Sequence, residues 1–457
     1  MDLKAIAKRA AKSALDSVRP ERLIEEQIIR DGAKLVVNGQ IFNLEPVETI
    51  RLISFGKAGF PLASSLLPLI EDKLSAGVVT GVKTYEEKER ISYFPAAHPL
   101  PDEWSLRAGQ KALELALVTS QRDLLLLLIS GGGSAHLCLP AEGLSLEDKR
   151  QTTRLLLTAG ADIHQLNTVR KHLSRIKGGK LLRAAWPGKV INIIISDVID
   201  NNLSDIASGP AWYDSSTFKD ALKVLDETGV RTDVPASVKK VLDEGAAGMR
   251  EETLKKSDEE LKNSQAFIIG DNLKALYAAK AQLRESGLET IILTSSDSGE
   301  ARLAASSYIQ KLRGWARKTR EKGRAFCLLA GGELTVTVRG SGQGGRNTEF
   351  ALACLIEMEK IRAELAGCDW LILSLATDGR DGTTDSAGAW ISGQSWPQAE
   401  KAGLNPQDFL DNNDSYGFFE KTGGLVFTGL TGTNVMDLRF FFLAPAGALG
   451  PVTGSTG

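Results

Sequence analysis

Short runs dense in aliphatic residues recur along the chain at 51–55, 124–129, 190–195, 325–329 and 371–375, and 124–129 is apolar at odd and even positions alike. A strand covered on both faces reads this way, so these runs predict buried strands, with 124–129 central in a parallel sheet. Four of them break at once into glycine or small polar residues: Gly-Lys-Ala-Gly at 56–59, Ser-Gly-Gly-Gly-Ser at 130–134, Ser-Asp-Val at 196–198 and Ala-Thr-Asp-Gly at 376–379. Open α/β sheets bind their ligands at the carboxyl ends of such strands.

Between these runs the apolar spacing changes to three and four, the period of a helix. Residues 1–18 predict an amphipathic helix, 146–161 a second, and 168–182 a basic helix-like segment carrying Arg170, Lys171, Arg175, Lys177 and Lys180. Asn38-Gly39 between two short apolar runs predicts a hairpin over 34–43. Short strands are expected at 78–79, 92–94 and 291–294, and the helix before 325 ends in a basic stretch from 311 to 324. From 219 to 265 the chain turns polar and charged, and 250–262 shows no core pattern, so the domain boundary is placed near 240. The expected architecture is α/β: an N-terminal Rossmann-like domain over 1–240 with a largely parallel sheet, and a second α/β domain over 241–457 that opens with the strand 266–269.

The densest punctuation lies at 331–346, where the β-branched run 334–338 leads into Gly340, Gly342, Gly344 and Gly345 and then Arg346 at the head of a helix. A strand that gives way to glycine and then to a helix brings bare N–H groups up to an anion, and an arginine there adds a permanent charge. Gly131, Gly132, Gly133 and Ser134 form a similar cradle; each glycine costs about 0.5–1 kcal/mol relative to alanine inside regular structure, which a phosphate or carboxylate ligand would explain. Lys57 sits at a strand end. Asp197 and Asp378 are candidates for Mg²⁺ or, in the case of Asp197, for accepting a hydroxyl proton. His98, before Pro99, either touches substrate or caps its turn, and Arg170 and Lys177 line an anion site or form a solvated face.

At 457 residues, with 42% hydrophobic and 25% charged residues and a net charge of -2, the chain has no general attraction to nucleic acid or anionic lipid. Any anion site must be local. Nothing resembles a signal peptide or a membrane span, and a cytoplasmic protein is expected. The four cysteines form no CxxC pair and read as free thiols. GxxxxGK[ST] and GxSxG are both absent, which argues against a Walker-type site and against a serine hydrolase. Gly340-x-Gly342-x-x-Gly345 does satisfy a dinucleotide fingerprint, which keeps an NAD(P)H-dependent reductase as the alternative, although the acid expected about twenty residues later is missing.

The motifs SFGKAG, SGGGSA, NTVRKHLSRIKGGKL, SDVIDNNLSDIASGP, GGELTVTVRGSGQGGRN, ATDGRDGTTDSAGA, NDSYGFF and TGLTGTNVMDL, in this order from about Ser54 to Leu438, closely resemble the class II glycerate 2-kinases with their MOFRL domain, here about 325–440. That resemblance implies an enzyme that uses ATP and Mg²⁺ to phosphorylate D-glycerate at its 2-hydroxyl, in a cleft between two α/β domains. It implies Lys57 and Arg346 as catalytic residues; the residue pattern itself adds Asp197 beside them and metal ligation by Asp197 or Asp378. Phosphate binding would fall to Gly131, Gly132, Gly133, Ser134, Gly342, Gly344 and Gly345, and substrate binding to Ser134, His98, Arg170 and Lys177. A monomer or homodimer acting on small molecules is expected. The chain departs from the family pattern at Asp200-Asn201-Asn202, usually Gly-Asp-Asp, and at His136 and Leu430.

Overall fold

The computed structural model describes residues 2–82 and 89–447. The chain groups into two compact units, Pro20–Ile269 and a second made of Met1–Arg19 together with Gly270–Gly457.

In the Pro20–Ile269 unit, six strands follow the order Ile91–Pro95, Leu74–Gly81, Thr49–Phe55, Asp123–Ile129, Lys189–Ile195, Ser264–Gly270. Counted along the chain this is 3-2-1-4-5-6, the doubly wound order whose direction reverses between Thr49–Phe55 and Asp123–Ile129. The pairings from Ile91–Pro95 through Lys189–Ile195 are all parallel. Every residue of Asp123–Ile129 is buried, which is what the unbroken aliphatic run requires of an inner strand. Near the start of two neighbouring strands, Arg51 pairs with Asp123 at 2.8 Å and Thr49 donates to the same carboxylate at 2.6 Å. The expected hairpin is present, Lys34–Val37 against Gln40–Asn43, with Asn38 and Gly39 at φ 47° and 82°.

The other unit has a mixed sheet ordered Glu289–Asp297, Phe326–Gly332, Asp437–Pro445, Cys368–Ala376, Gly388–Ser392, Leu425–Val426. Its first pair is parallel and the rest antiparallel. Helix Arg346–Lys360 is buried over most of its length, with Phe350 beside the stacked rings of Tyr308 and Phe441. The first helix, Leu3–Ser17, presents Leu3, Ile6, Ala7, Ala10 and Ala14 inward and packs on helix Asn272–Glu285; its alanines allow the close approach.

Four expectations change. The strand containing 266–269 does not open the second domain; it is the edge strand Ser264–Gly270 of the first sheet, tied to Asn192, whose amide donates to Ser264 Oγ and Gln265 O at 3.0 Å each. The segment 250–262 does contribute to a core, through the fully buried Leu254. The run 334–338 forms no sheet strand beyond a single bridge from Thr335 to Glu300, because Gly332 turns the chain at φ 128° against the backbone of Asp297. The basic segment 168–182 is not one helix but the end of Ile163–His172 and the start of Lys180–Ala185. Gly178 and Gly179, at φ 59° and 76°, break it, with Thr253 and Leu254 packed where side chains would be.

Candidate active site

Two turns meet at the switch point of the parallel sheet. Phe55 leads into Gly56, at φ 105°, where a Cβ would lie 2.4 Å from Ser130 O, so only glycine fits. Lys57 N then donates to Gly131 O at 2.8 Å and Ala58 N to Ser130 Oγ at 3.0 Å. These bonds lock 56–59 against 130–134 and leave the half-buried Lys57 at the strand end. No partner among the described residues takes the N–H groups of Gly131 and Gly132, which remain available to an anion. His98 is exposed and its ring covers Gly132, since a Cβ there would stand 2.8 Å from His98 Cδ2.

His136 lies beneath this turn, fully buried, with Nδ1 3.2 Å from Thr80 Oγ1. Thr80 Oγ1 also accepts from Gly56 N, and His136 Nε2 has no hydrogen-bond partner among the described residues. Burial first, then the charges of His98 and Lys57, push His136 down to about 4, so it is neutral at pH 7.

Ser134 ends the turn in a polar network. Its Oγ is 2.8 Å from Ser208 Oγ, Ser208 donates to Asn167 Oδ1 at 3.1 Å, and Asn167 and Asn202 hold the two oxygens of Asp205 at 3.2 and 2.8 Å. Ala207 and Ser208 adopt φ 50° and 62°, a conformation that costs non-glycine residues about 1–3 kcal/mol each. Lys177 Nζ bridges the two segments by donating to Ser134 O at 2.9 Å and Ala207 O at 3.3 Å. Burial, then Lys149, holds its ammonium well below the usual lysine range. Asp197 is half-buried at the carboxyl end of Lys189–Ile195, while Asp200, at φ 59°, is exposed.

Arg346, in the other unit, is the first residue of its helix and is gripped by acids. Nε and Nη2 donate to Asp437 Oδ2 and Oδ1 at 2.6 and 3.0 Å, and Nη1 lies 2.8 Å from Glu333. Among the described residues three of the five guanidinium N–H groups are thereby engaged. Burial opposes the charge, but Asp437 and Glu333 outweigh it and raise the pKa further above its ordinary value. Behind Arg346, Asp381 caps the helix, accepting from Asn347 N at 2.8 Å and Thr348 N at 2.7 Å.

The adjoining glycine loop differs from the open cradle expected of Gly342, Gly344 and Gly345. Arg339 N and Gly340 N donate to Asn413 Oδ1, Ser341 N to Asn412 Oδ1, Gly342 N to Asn412 O, Gln343 N to Asp414 Oδ1 and Gly345 N to Thr348 Oγ1. The glycines are needed for close approach: a Cβ on Gly342 would fall 2.3 Å from Asp414 Cβ, on Gly344 2.3 Å from Ser415 Oγ and on Gly345 2.4 Å from Asp381 Oδ1. The N–H groups of Gly342 and Gly345 thus hold the loop to Asn412 and to Thr348, Gly344 N has no partner among the described residues, and the helix N-terminus is filled by Asp381.

Asp378 is half-buried at the end of Cys368–Ala376, with Arg380 N donating to it at 3.1 Å. Among the described residues no group of three or more His, Cys, Asp or Glu side chains could hold a metal ion.

Residues 6–243 match a domain of unknown function (DUF4147), and residues 326–437 match the MOFRL family. A D-glycerate 2-kinase of Thermotoga maritima is 36% identical over 95% of this chain and 97% of its own, and a glycerate 2-kinase of Pyrococcus horikoshii is 37% identical over 96% and 97%. The chain belongs to the MOFRL family of glycerate kinases. The crystal structure of a glycerate kinase from Thermotoga maritima superposes with a TM-score of 0.81 at 35% identity, covering 97% of this chain and 99% of that one. The MOFRL match begins at Phe326 and ends at Asp437, so it contains Arg346, Asp381 and the acid that binds Arg346.

Several residues of this candidate site escaped sequence reasoning. Asp437 and Glu333 were not connected to Arg346, because 91 residues separate Arg346 from Asp437. Asn167, Ser208 and Thr80 were invisible as partners of the turns, and nothing in the sequence singled out Lys149. The Ser-Asp-Ile-Ala-Ser-Gly-Pro run at 204–210 was the only local signal for the strained turn at 207–209.

Proposed function

We propose that this chain is a D-glycerate 2-kinase: the 2-hydroxyl oxygen of D-glycerate attacks the γ-phosphorus of ATP, the bond to the β–γ bridging oxygen breaks, and 2-phosphoglycerate and ADP leave. The names of the Thermotoga and Pyrococcus relatives support the reaction. The observation that carries it is the open turn at the switch point, where the free N–H groups of Gly131 and Gly132 stand beside Lys57. Phosphoryl transfer asks a protein mainly for positioning and positive charge around oxygens that grow more negative. Lys57 supplies a positive charge and Gly131, Gly132, Gly133 and Ser134 line the phosphate path. Arg346, aimed by Asp437 and Glu333, offers its remaining N–H groups. His98 and Ser134 are left for the hydroxy acid, with Arg170 and Lys177 as further cations for its carboxylate or for a phosphate.

Mg²⁺ takes one or two protein carboxylates and completes its shell with water and phosphate oxygens, so single half-buried acids such as Asp197 and Asp378 suit it better than a dedicated cage. When bound, the ion supplies neutralisation of the phosphate oxygens. Asp197 either takes that place or accepts the hydroxyl proton; loss of the acidic limb in the pH–rate profile of Asp197→Asn marks the proton acceptor, and a raised Mg²⁺ requirement marks the ligand. The first βα turn reads Ser54-Phe55-Gly56-Lys57-Ala58-Gly59, and it lacks the three-glycine pattern that brings a pyrophosphate of NAD(P)H to a helix. Incubation with ATP, Mg²⁺ and D-glycerate, followed by phosphorus NMR, tests the reading: 2-phosphoglycerate supports it. Appearance of 3-phosphoglycerate alone, or turnover of hydroxypyruvate with NADH instead, overturns it.

A further inference from the structure

Three cations of the Pro20–Ile269 unit sit together with no carboxylate among them. Lys149 is on helix Leu146–Thr158, Arg170 on helix Ile163–His172, and Lys177 in the turn before helix Lys180–Ala185. The chain leaving the glycine turn sets their surroundings. Ala141 N donates to Leu173 O at 3.0 Å, Arg175 N to Leu139 O at 3.1 Å and Ser174 Oγ to Leu139 O at 3.2 Å, which lays Cys138 along the segment joining Arg170 to Lys177. Each of the three cations is within electrostatic reach of the other two.

Lys149 is 6% exposed and Lys177 3%. Lys177 is held by two carbonyls, but Lys149 Nζ has no hydrogen-bond partner among the described residues. Carboxylates do exist nearby in the fold, and they are taken. Asp214 binds Lys171 at 3.2 Å and Ser216, and Asp205 is held by Asn167, Asn202 and His164. Among the described residues the side chain that neighbours all of Lys149, Arg170 and Lys177 is Cys138, not a carboxylate. Burying like charges side by side opposes folding through desolvation and repulsion, and an anion that bridges them relieves both. A buried ammonium with none of its three donors engaged is arranged for a partner that arrives from outside.

We infer that Lys149, Arg170 and Lys177 form one binding site for an oxyanion group of the reactants, with Lys149 as its unengaged donor. The grip of Lys177 on Ser134 O joins this site to the Gly131–Ser134 turn, so the oxyanion is held at one end of the turn and the free N–H groups serve at the other. The identity of the ligand rests on the kinase reading: it is the carboxylate of D-glycerate or a phosphate of ATP, which present the same oxygen chemistry.

The intact protein and its Lys149→Met variant, which keeps the length of the side chain and removes the charge, are titrated calorimetrically with D-glycerate, ATP and inorganic phosphate separately. Loss of a charge-assisted bond in a buried site should weaken binding about ten- to hundredfold. Weakening confined to D-glycerate assigns the site to the carboxylate, and weakening confined to ATP assigns it to the nucleotide. The ligand-free variant should also melt higher than the parent, because a desolvated charge has gone; a structural lysine would give the opposite. If Lys149→Met does not fold, Arg170→Gln carries the same titrations. Affinities for all three ligands within twofold of the parent overturn the site, as does failure of the parent to bind any of them. Should the parent make no phosphoglycerate while Lys149→Met still loses inorganic phosphate, the kinase reading falls and the oxyanion site stands.

Discussion

Arg346 holds Asp437 through two nitrogens, Nε at 2.6 Å and Nη2 at 3.0 Å, and Asp437 is completely buried. The same carboxylate also receives Arg439 Nη2 at 3.2 Å and the Asn347 amide at 3.0 Å. An arginine proposed to stabilise a transferring phosphoryl group is therefore also part of a buried ionic network, and its removal has two consequences.

Arg346→Ala should lower turnover roughly 10³-fold or more if Arg346 acts in the transition state. It should lower stability as well, by about 1–3 kcal/mol, since Asp437 loses its bidentate partner. Arg346→Lys keeps the charge without the planar fork and should recover part of each. Asp437→Ala strips both arginines of a shared acid and should cost about 3–5 kcal/mol. Denaturant melts and steady-state kinetics on the three variants check this; turnover of Arg346→Ala within tenfold of the parent removes Arg346 from the transition state.

Asp381 is 1% exposed and accepts from two backbone N–H groups at the start of helix Arg346–Lys360, and from Thr348 Oγ1 at 2.8 Å. Burial, the larger influence, raises its pKa against those bonds. Asp381→Ala removes a cap and leaves buried donors unmet, so the expected loss is about 2–4 kcal/mol, with a fall in rate because Arg346 sits on the first turn. An unchanged Tm would contradict the capping role.

The two glycine loops should respond differently to alanine. Gly132→Ala strains a backbone at φ 78° beside free N–H groups and should reduce ATP affinity or turnover at least tenfold with a small change in Tm. Gly342→Ala drives a methyl group into Asp414 and should lower Tm by several degrees while the folded protein keeps its KM for ATP. A raised KM in Gly342→Ala with an unaltered Tm would return that loop to phosphate binding.

Asp123 is buried, which opposes its charge, yet bonds from Thr49, Ser120 and Arg51 lower its pKa to about 2. A depressed carboxylate contributes stability above its unfolded value near 3.8 and loses it as pH falls toward 2. The stability difference between the parent and Asp123→Asn should thus be flat at neutral pH and shrink between about pH 4 and 2. Urea melts across that range decide it, and a difference independent of pH would show that the bonds, not the charge, matter.

Much of this protein was legible in its sequence because the signals are local. An aliphatic run with no polar face demands cover on both sides, which made Asp123–Ile129 an inner strand, and the turn residues after the strands singled out the two turns that the fold bonds together. Lys57 and the Gly131–Ser134 turn followed from that pattern. Tertiary structure alone decided what lies far apart in sequence. The first helix joins the Gly270–Gly457 unit and Ser264–Gly270 the other, because packing of apolar faces, not chain order, assigns an element to a core. The glycines of 340–345 and the acids Asp381 and Asp437 showed their use only when 412–415 and the helix start were brought against them. A glycine pattern states that something approaches closely; whether it is a phosphate or another stretch of the same chain depends on long-range contacts that no local spacing encodes.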